Sequence, residues 1–244
     1  IIGFADEEGA RFQSTYLGSR AVAGNFDETL LLCLDESGVS MRDAMAEFGL
    51  SPNEIANAKR SKREIIAYIE LHIEQGPILE NKKLPIGVVT AISGAQRLKV
   101  SVDGRAGHAG TVPMNLRADA LVAASECVIE VEKITMEMSG VVGTVGQLIT
   151  SPGAPNVIPG NVQFTVDLRA EKDSDRNLAF LRIKDKFNFI ANKRGVEVAF
   201  TVTHEAKSVD CDPGLIEVIG EAIADLGWVV ENLPSGAGHD AAAM

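Results

Sequence analysis

The order of strand-like and helix-like segments between residues 97 and 203 limits most strongly what this chain can fold into. Apolar periodicity predicts four strands and two long helices there: strands at Arg97–Val102, Val141–Ile149, Val162–Arg169 and Val196–Thr203, and helices at Leu116–Met136 and Asp173–Arg194. The resulting β-α-β-β-α-β order is typical of a ferredoxin-like sandwich, in which two helices cover one sheet face. We expect Asp173 or Ser174 to cap the second helix and Gly195 to end it.

The flanking segments predict a larger α/β domain that this unit interrupts. Strands are expected at Ile1–Ala5, Ile65–Glu74 and Trp228–Val230, and helices at Leu17–Ala23, Val39–Phe48, part of Asn53–Ile66, and Pro213–Leu226. The simplest organisation places residues 1–92 and 209–244 in one domain and inserts residues 93–208 into it. Because the chain opens inside a strand and stops in the first turn of a helix, we expect it to be truncated at both ends.

Charge and composition exclude several classes of partner. The 244 residues carry 23 Lys and Arg against 34 Asp and Glu, a net charge of −11 that disfavours nucleic acid and anionic membranes. No apolar run approaches the ~18–20 residues that span a bilayer, and no secretory signal precedes the first strand. Three scattered cysteines without metal-binding spacing favour a reduced, cytoplasmic location: Cys33, Cys127 and Cys211.

Two polar groups near predicted strands are candidates for metal chemistry. Asp6, Glu7 and Glu8 follow an apolar strand, and their adjacent carboxylates would repel one another unless a cation neutralised them. On these residues alone, a solvated acidic loop is the simpler interpretation. His72 lies on the polar face of a predicted strand between Glu70 and Glu74, where a metal ligand and a half-exposed histidine are equally plausible.

Other candidates lie in loops and at strand ends. His108 sits between small residues in a Gly-rich segment that lets a ligand approach closely, and a functional role is preferred over an incidental histidine in a Gly-rich connection. Asn156, in a proline-stiffened loop, offers a donor and an acceptor, and Arg169 offers a planar fork for a carboxylate at the end of a strand. Arg97 opens the first strand of the same domain. Taken singly, these three residues are better explained as a turn asparagine and two arginines in surface ion pairs.

The segment Gly236-Ala237-Gly238-His239-Asp240-Ala241 fits a dinucleotide fingerprint, but Pro234 breaks the approach from a strand. A Gly-rich wall of an active site is the preferred interpretation. A Ser-His-Asp hydrolase built from Ser235, His239 and Asp240 stays open, although no G-x-S-x-G elbow occurs.

Together these segments resemble the allantoate amidohydrolase / N-carbamoyl-L-amino-acid hydrolase family of the dinuclear-metal aminoacylase and carboxypeptidase G superfamily. Five motifs occur in the family's order and cover essentially the whole chain: Asp6–Phe12, Glu70–Pro77, Gly107–Met114, Asn156–Gly160 and Ser235–Asp240. The resemblance implies a metallopeptidase-like α/β catalytic domain with an inserted ferredoxin-like lid that forms a homodimer.

The same resemblance assigns roles to individual residues. Glu7 resembles the general base, and Glu8 and His72 resemble ligands of two divalent ions, with Mn²⁺ expected and Zn²⁺ an alternative; Glu70 would contact ligands at most. His108 resembles the lid histidine that stabilises the oxyanion in a neighbouring subunit. Asn156 and Arg169 resemble binders of the substrate carboxylate, and Gly236 and Gly238 would line the site.

Arg97, in Gly94-Ala95-Gln96-Arg97, favours allantoate as the substrate within this family. Allantoate carries a second ureido group, to which an additional polar side chain can hydrogen-bond. The expected enzyme is a hydrolase of non-peptide C–N bonds that releases ammonia and CO₂ from allantoate, or alternatively from N-carbamoyl-L-amino acids. The family's remaining metal ligands would lie outside residues 1–244, so this chain alone is expected to be inactive. A non-catalytic, dimerising or ligand-binding module is the alternative of another class.

Overall fold

The computed structural model describes residues 1–4, 7–61 and 63–244. Contacts divide the chain into two compact units, one formed by residues 1–85 with 237–244 and the other by residues 86–236. The domain boundaries predicted at 92/93 and 208/209 stay predictions. No described helix is both long and apolar enough to cross a membrane.

The first unit is built from short helices. Its α-helices are α1 (Leu17–Ala23), α2 (Met41–Glu47) and α3 (Ile78–Lys82), and its 3-10 helices are Glu28–Leu32, Pro52–Ala58 and Asp240–Ala242. The helices predicted at Leu17–Ala23 and Val39–Phe48 are confirmed, the second with trimmed ends. Ser40 explains one of these ends, because its side chain accepts a hydrogen bond from the backbone N–H of Asp43 and begins α2 there.

Two strands predicted in the first unit are not assigned among its described residues. Residues 1–4 and 65–74 carry no strand, and Ala5, Asp6 and Lys62 lie outside the described part. Side-chain burial still alternates within residues 65–74: Ile69, Leu71 and Ile73 are exposed, whereas Glu70 and His72 are half-buried. A strand also needs a hydrogen-bonded partner, which alternation alone does not supply.

The second unit contains the elements that the sequence predicted most clearly. Its helices are α4 (Ala120–Met136), α5 (Asp173–Arg194), α6 (Pro213–Asp225) and a 3-10 turn at Met114–Leu116; its strands are β1 (Val88–Ile92), β2 (Gly94–Asp103), β3 (Gly107–His108), β4 (Val141–Thr144), β5 (Leu148–Ser151), β6 (Val157–Ile158), β7 (Asn161–Ala170), β8 (Glu197–Ala206), β9 (Val209–Asp210) and β10 (Asn232–Ser235). The strand predicted at Trp228–Val230 is wrong, and pairing with β1 begins at Asn232 instead.

The main sheet of this unit has the strand order β4-β7-β2-β8, with β5 also paired to β7. All of its pairs are antiparallel, and β2 and β7 stay in register from Gly94–Ala170 to Asp103–Asn161. This order and the two long helices confirm the predicted β-α-β-β-α-β arrangement. The strand predicted at Val141–Ile149 is split into β4 and β5.

The two faces of this sheet differ sharply. Along β7 burial alternates without a break, so Phe164, Val166 and Leu168 enter a core shared with α4 and α5. The intervening residues, including Asp167 and Arg169, therefore lie on the opposite face. Arg97 occupies the same polar face of β2, where it is paired in register with Asp167.

The ends of the long helices follow local hydrogen-bonding chemistry. Asp119 accepts hydrogen bonds from the backbone N–H groups of Leu121 and Val122, so α4 begins at Ala120 rather than at the predicted Leu116. Helix α5 ends at Gly195, as predicted, with φ 65°. Its predicted cap is wrong, because Asp173 is the first helical residue and its carboxylate accepts from the backbone N–H of Ser208 instead.

Candidate functional site

One group of side chains in the first unit has the composition of a metal site. Glu70, His72 and His239 each offer a ligand atom, and these atoms all lie within 4.8 Å of one another. The rings of His72 and His239 meet edge to face with centroids 4.1 Å apart, and Nδ1 of His239 is 3.9 Å from Oε1 of Glu70. No other such group of three occurs among the described residues.

The donor set and its spacing fit a divalent transition-metal ion. Bonds of about 2.0–2.2 Å to imidazole nitrogen and carboxylate oxygen place neighbouring ligand atoms roughly 3–4 Å apart, so a small contraction would close the group around an ion. Two imidazoles and one carboxylate suit Zn²⁺ and Mn²⁺ better than Ca²⁺, which prefers oxygen ligands alone.

Hydrogen bonds orient two members of this group. Nδ1 of His72 lies 2.6 Å from the backbone oxygen of Ile73, and because that oxygen can only accept, Nδ1 carries the proton and Nε2 keeps a lone pair for a ligand. Oε2 of Glu70 accepts a 2.8 Å hydrogen bond from the backbone N–H of Ala241, which ties it to the segment that carries His239.

The segment around His239 is the most buried part of the site. His239 is 5% exposed and Asp240 is 6% exposed. Burial lowers the pKa of His239, and the neighbouring His72 lowers it further, so the imidazole is neutral and able to bind a metal near pH 7. Burial raises the pKa of Asp240, whose carboxylate accepts a 2.6 Å hydrogen bond from the hydroxyl of Ser19.

Glu7 lies at the same site. Burial raises its pKa, and the negative charges of Asp240 and Glu8 add to this effect, while His72 opposes it. A methyl group added at Gly238 would lie 3.7 Å from Oε1 of Glu7, so the backbone at Gly238 approaches this carboxylate closely. A glutamate with a raised pKa is suited to accept a proton during a reaction.

Glu8, the other predicted ligand of the acidic run, is exposed and does not belong to the group formed by Glu70, His72 and His239. Asp6, the first carboxylate of that run, lies outside the described residues. The role of Glu8 as a ligand stays a prediction.

The predicted substrate binders Arg97 and Arg169 lie in the second unit, on the polar face of its main sheet. Asp167 joins them: its Oδ2 accepts from Nε of Arg97 at 3.0 Å, and its two oxygens accept from Nε and Nη2 of Arg169, both at 2.9 Å. Nη1 of Arg169 donates a 2.6 Å hydrogen bond to the backbone oxygen of Gly236. The structure thus brings together three of the predicted binding residues, Arg97, Arg169 and Gly236.

His108 and Asn156 lie on another part of the second unit. Strands β3 and β6 pair His108 with Val157, and the backbone N–H of Ala109 donates a 2.9 Å hydrogen bond to the backbone oxygen of Asn156. The guanidinium of Arg117 braces this loop by donating to the backbone oxygens of Val112 and Ala109.

Sequence reasoning missed three residues that these arrangements contain. Glu70 was expected only to contact ligands, although its place two residues before His72 puts both side chains on one face of an extended segment. His239 was treated as part of a Gly-rich wall, and no local signal links it to residues as distant in sequence as Glu70 and His72. Asp167, two residues before Arg169, was given no role.

Comparison with known proteins gives a consistent result. The family model of peptidase family M20/M25/M40 matches residues 1–244. An N-carbamoyl-L-amino-acid amidohydrolase of Paenarthrobacter aurescens is 44% identical over 242 residues, which cover 98% of this chain and 59% of that protein. A probable allantoate deiminase of Oryza sativa subsp. japonica is 39% identical over 275 residues, which cover 100% of this chain and 56% of that protein.

Solved structures agree. The crystal structure of a hydantoinase/carbamoylase family amidase from Burkholderia multivorans superposes with a TM-score of 0.90 at 35% identity, covering 97% of this chain and 57% of that one. The chain therefore spans less than two thirds of the length of these relatives. The resemblance drawn from the five motifs is confirmed, and the chain belongs to peptidase family M20/M25/M40.

Proposed function

We propose that the full-length protein is a metal-dependent amidohydrolase that cleaves a ureido C–N bond of allantoate and releases ammonia and CO₂. The observation that carries the proposal is the group Glu70, His72 and His239 beside Glu7, because it combines ligands for a divalent ion with a carboxylate of raised pKa. The choice of allantoate rests on Arg97, which adds a hydrogen-bonding group for the second ureido function.

Glu70, His72 and His239 would hold one ion, and with Glu8 and residues outside this chain they would contribute to a site for two, with Mn²⁺ expected. When bound, the metal would polarise the ureido carbonyl and lower the pKa of water. A ureido carbonyl is a poor electrophile, so this contribution answers the main chemical difficulty of the reaction.

Glu7 would take a proton from the attacking water at a carboxylate oxygen and pass it to the leaving nitrogen as the C–N bond breaks. The carbamate that is released decomposes to ammonia and CO₂. Because burial and nearby carboxylates raise the pKa of Glu7, its carboxylate is a stronger base than an ordinary glutamate. His108 would donate to the developing oxyanion in a neighbouring subunit of a homodimer formed through residues 93–208, and such a donor is typically worth about 3–4 kcal/mol.

Asn156 and Arg169 would bind the substrate carboxylate, and Arg97, which is linked to Arg169 through Asp167, would donate to the second ureido group. Ureide breakdown in the cytoplasm is the proposed setting, because the net charge of −11 and the scattered cysteines fit a reducing compartment without nucleic-acid partners.

Hydrolysis of N-carbamoyl-L-amino acids is the second candidate. It is favoured by the 44% identity to the Paenarthrobacter aurescens enzyme of that name, against 39% for the rice allantoate deiminase. Both reactions use the same chemistry at the ureido carbon, so only the groups that bind the rest of the substrate distinguish them.

Ammonia release by the full-length protein with Mn²⁺ tests both candidates. We expect a higher kcat/KM for allantoate than for N-carbamoyl-L-alanine, and we expect Arg97→Leu to reduce the allantoate value much more. Glu7→Gln should abolish turnover, whereas Glu54→Gln, which removes an exposed carboxylate of the same unit, should not. Turnover that survives Glu7→Gln would refute the assignment of Glu7 as the base. If neither substrate releases ammonia, a non-catalytic module is favoured.

A further inference from the structure

The polar face of the main sheet in the second unit carries a cavity of about 500 Å³. Arg97, Asp167 and Arg169 supply its charged lining, and Thr144, Thr165 and Thr203 supply hydroxyl groups. The three charged residues sit on adjacent strands, since β2 and β7 pair Arg97 directly with Asp167.

Asp167 holds both guanidinium groups by their hydrogen-bonding edges. Its two oxygens engage Nε and Nη2 of Arg169 as a fork, and Oδ2 also accepts from Nε of Arg97. Within the part of the chain that the structure describes, the terminal nitrogens of Arg97 make no hydrogen bond or ion pair, so they remain available to an anion. Asp167 therefore fixes the orientation of the donors that a carboxylate would meet.

Two guanidinium cations and one carboxylate give the cluster a net charge of +1. Burial acts to raise the pKa of Asp167, but hydrogen bonds from Arg169 and Arg97 outweigh it, and the net shift is downward, so the carboxylate is ionised near pH 7. His204 on β8 lies opposite Arg97 of β2. Burial and the positive charge of Arg97 lower the pKa of His204, so its imidazole is neutral near pH 7.

Among the described residues, the nearby charges of Glu205 and Lys99 do not alter this count. Glu205 forms an ion pair with the buried Arg176, and Lys99, two residues along β2 from Arg97, does not line the cavity. A net charge of +1 balances one bound carboxylate. A second carboxylate in the same cavity would be uncompensated and would also face Asp167.

We propose that Asp167 is a specificity-determining residue that limits this cluster to one net positive charge and so selects ureido substrates with a single carboxylate over substrates with two. The inference rests on the proposed function, because it assigns the cluster to the carboxylate of a ureido substrate. Asp167 acts through Arg97 and Arg169 and is a positioning residue for them.

The test uses two substrates of nearly equal shape, N-carbamoyl-L-asparagine and N-carbamoyl-L-aspartate, which differ by one negative charge. The full-length protein with Mn²⁺ is assayed for kcat/KM on each. We expect the wild-type protein to prefer the asparagine compound, and we expect Asp167→Asn to shift the ratio toward the aspartate compound by about tenfold, because the cluster then carries +2.

Two further variants separate charge from structure. Asp167→Glu keeps the charge but displaces the fork, so kcat/KM should fall for both substrates while their ratio stays at the wild-type value. Asp103→Asn removes a carboxylate from the same face of β2 outside the cavity and should leave the ratio unchanged. An unchanged ratio in Asp167→Asn, or an equal shift in Asp167→Glu, would overturn the proposal.

A binding measurement distinguishes failure of this inference from failure of the proposed function. Calorimetric titration with succinamate and succinate compares one with two carboxylates in the absence of any reaction. If the wild-type protein hydrolyses neither ureido substrate but binds succinamate in preference to succinate, and Asp167→Asn reverses that order, the proposed function fails while the charge selection stands. Equal binding of both anions by wild type and variant would refute the selection itself.

Discussion

Replacing Gly238 by alanine should disturb the candidate site through a single steric contact. A methyl group at this position would overlap the hydroxyl oxygen of Tyr16 and would lie 3.3 Å from Cζ of the same ring. The half-buried Tyr16 is anchored at its backbone, which precedes α1 with φ 62° and accepts a 2.9 Å hydrogen bond from the backbone N–H of Arg20. We therefore expect the clash to displace the segment carrying Gly238 and the adjacent His239 as well as the Tyr16 ring.

A displacement of about 1 Å at a catalytic group can lower a rate roughly 100-fold, which sets the expected loss of kcat/KM in Gly238→Ala. Mn²⁺ affinity, measured by calorimetry, should fall as well, because His239 is a candidate ligand. The measurement needs the full-length protein, with ammonia release as the activity assay and circular dichroism as a check that the variant folds.

Tyr16→Phe supplies a matched rescue. Removing the hydroxyl leaves Cζ at 3.3 Å and Oε1 of Glu7 at 3.7 Å as the nearest of the recorded contacts, both of which small adjustments can absorb. The double variant should regain at least about tenfold of the lost kcat/KM, and Tyr16→Phe alone should stay within about threefold of wild type. A Gly238→Ala protein with wild-type activity, or a double variant no better than the single one, would refute the steric argument.

Three other perturbations have defined outcomes. Glu70→Gln should weaken Mn²⁺ binding by about tenfold or more in calorimetry, because it removes the one carboxylate of the His-His-Glu group, whereas Glu54→Gln should not change the affinity. Phe187→Ala should lower the free energy of unfolding by about 3–5 kcal/mol in urea titrations, since this fully buried ring packs against Phe164 and Phe200 with centroids 5.8 Å away in each case; a loss below about 1 kcal/mol would contradict the packing. The pKa of Asp167 is lower in the folded state than in the unfolded one, so its contribution to stability is present above the unfolded value of about 3.9 and is lost as the pH falls through the folded value. Asp167→Asn should therefore make the free energy of unfolding less dependent on pH in the acid range. An unchanged dependence on pH would contradict an ionised Asp167 in the cluster.

Sequence patterns predicted the second unit far better than the first, and the reason is physical. Strand β7 alternates without interruption and α5 ends at a glycine, so local pattern and tertiary packing demand the same structure. Residues 65–74 also alternate, but whether such a segment becomes a strand depends on a hydrogen-bonded neighbour. The start of α4 was misplaced because Asp119, and not the apolar pattern, decides where the helix begins.

The candidate site divides in the same way. Arg97 and Arg169 could each be singled out as substrate binders from the sequence, whereas their link through Asp167 follows from the pairing of β2 with β7. Glu70 could have been found from its two-residue spacing to His72. His239 could not, because its approach to Glu70 and His72 is a long-range contact that no local pattern encodes.

The backbone hydrogen bond between Ala109 and Asn156 has a consequence for any attempt to re-engineer this protein. It links the loop that carries His108 to the loop that carries Asn156, so a displacement of one loop is expected to move the other. Libraries that randomise the two loops separately should miss the best combinations, because a tolerated change in one will depend on what occupies the other. We therefore expect the effects of substitutions in the two loops on activity to be non-additive.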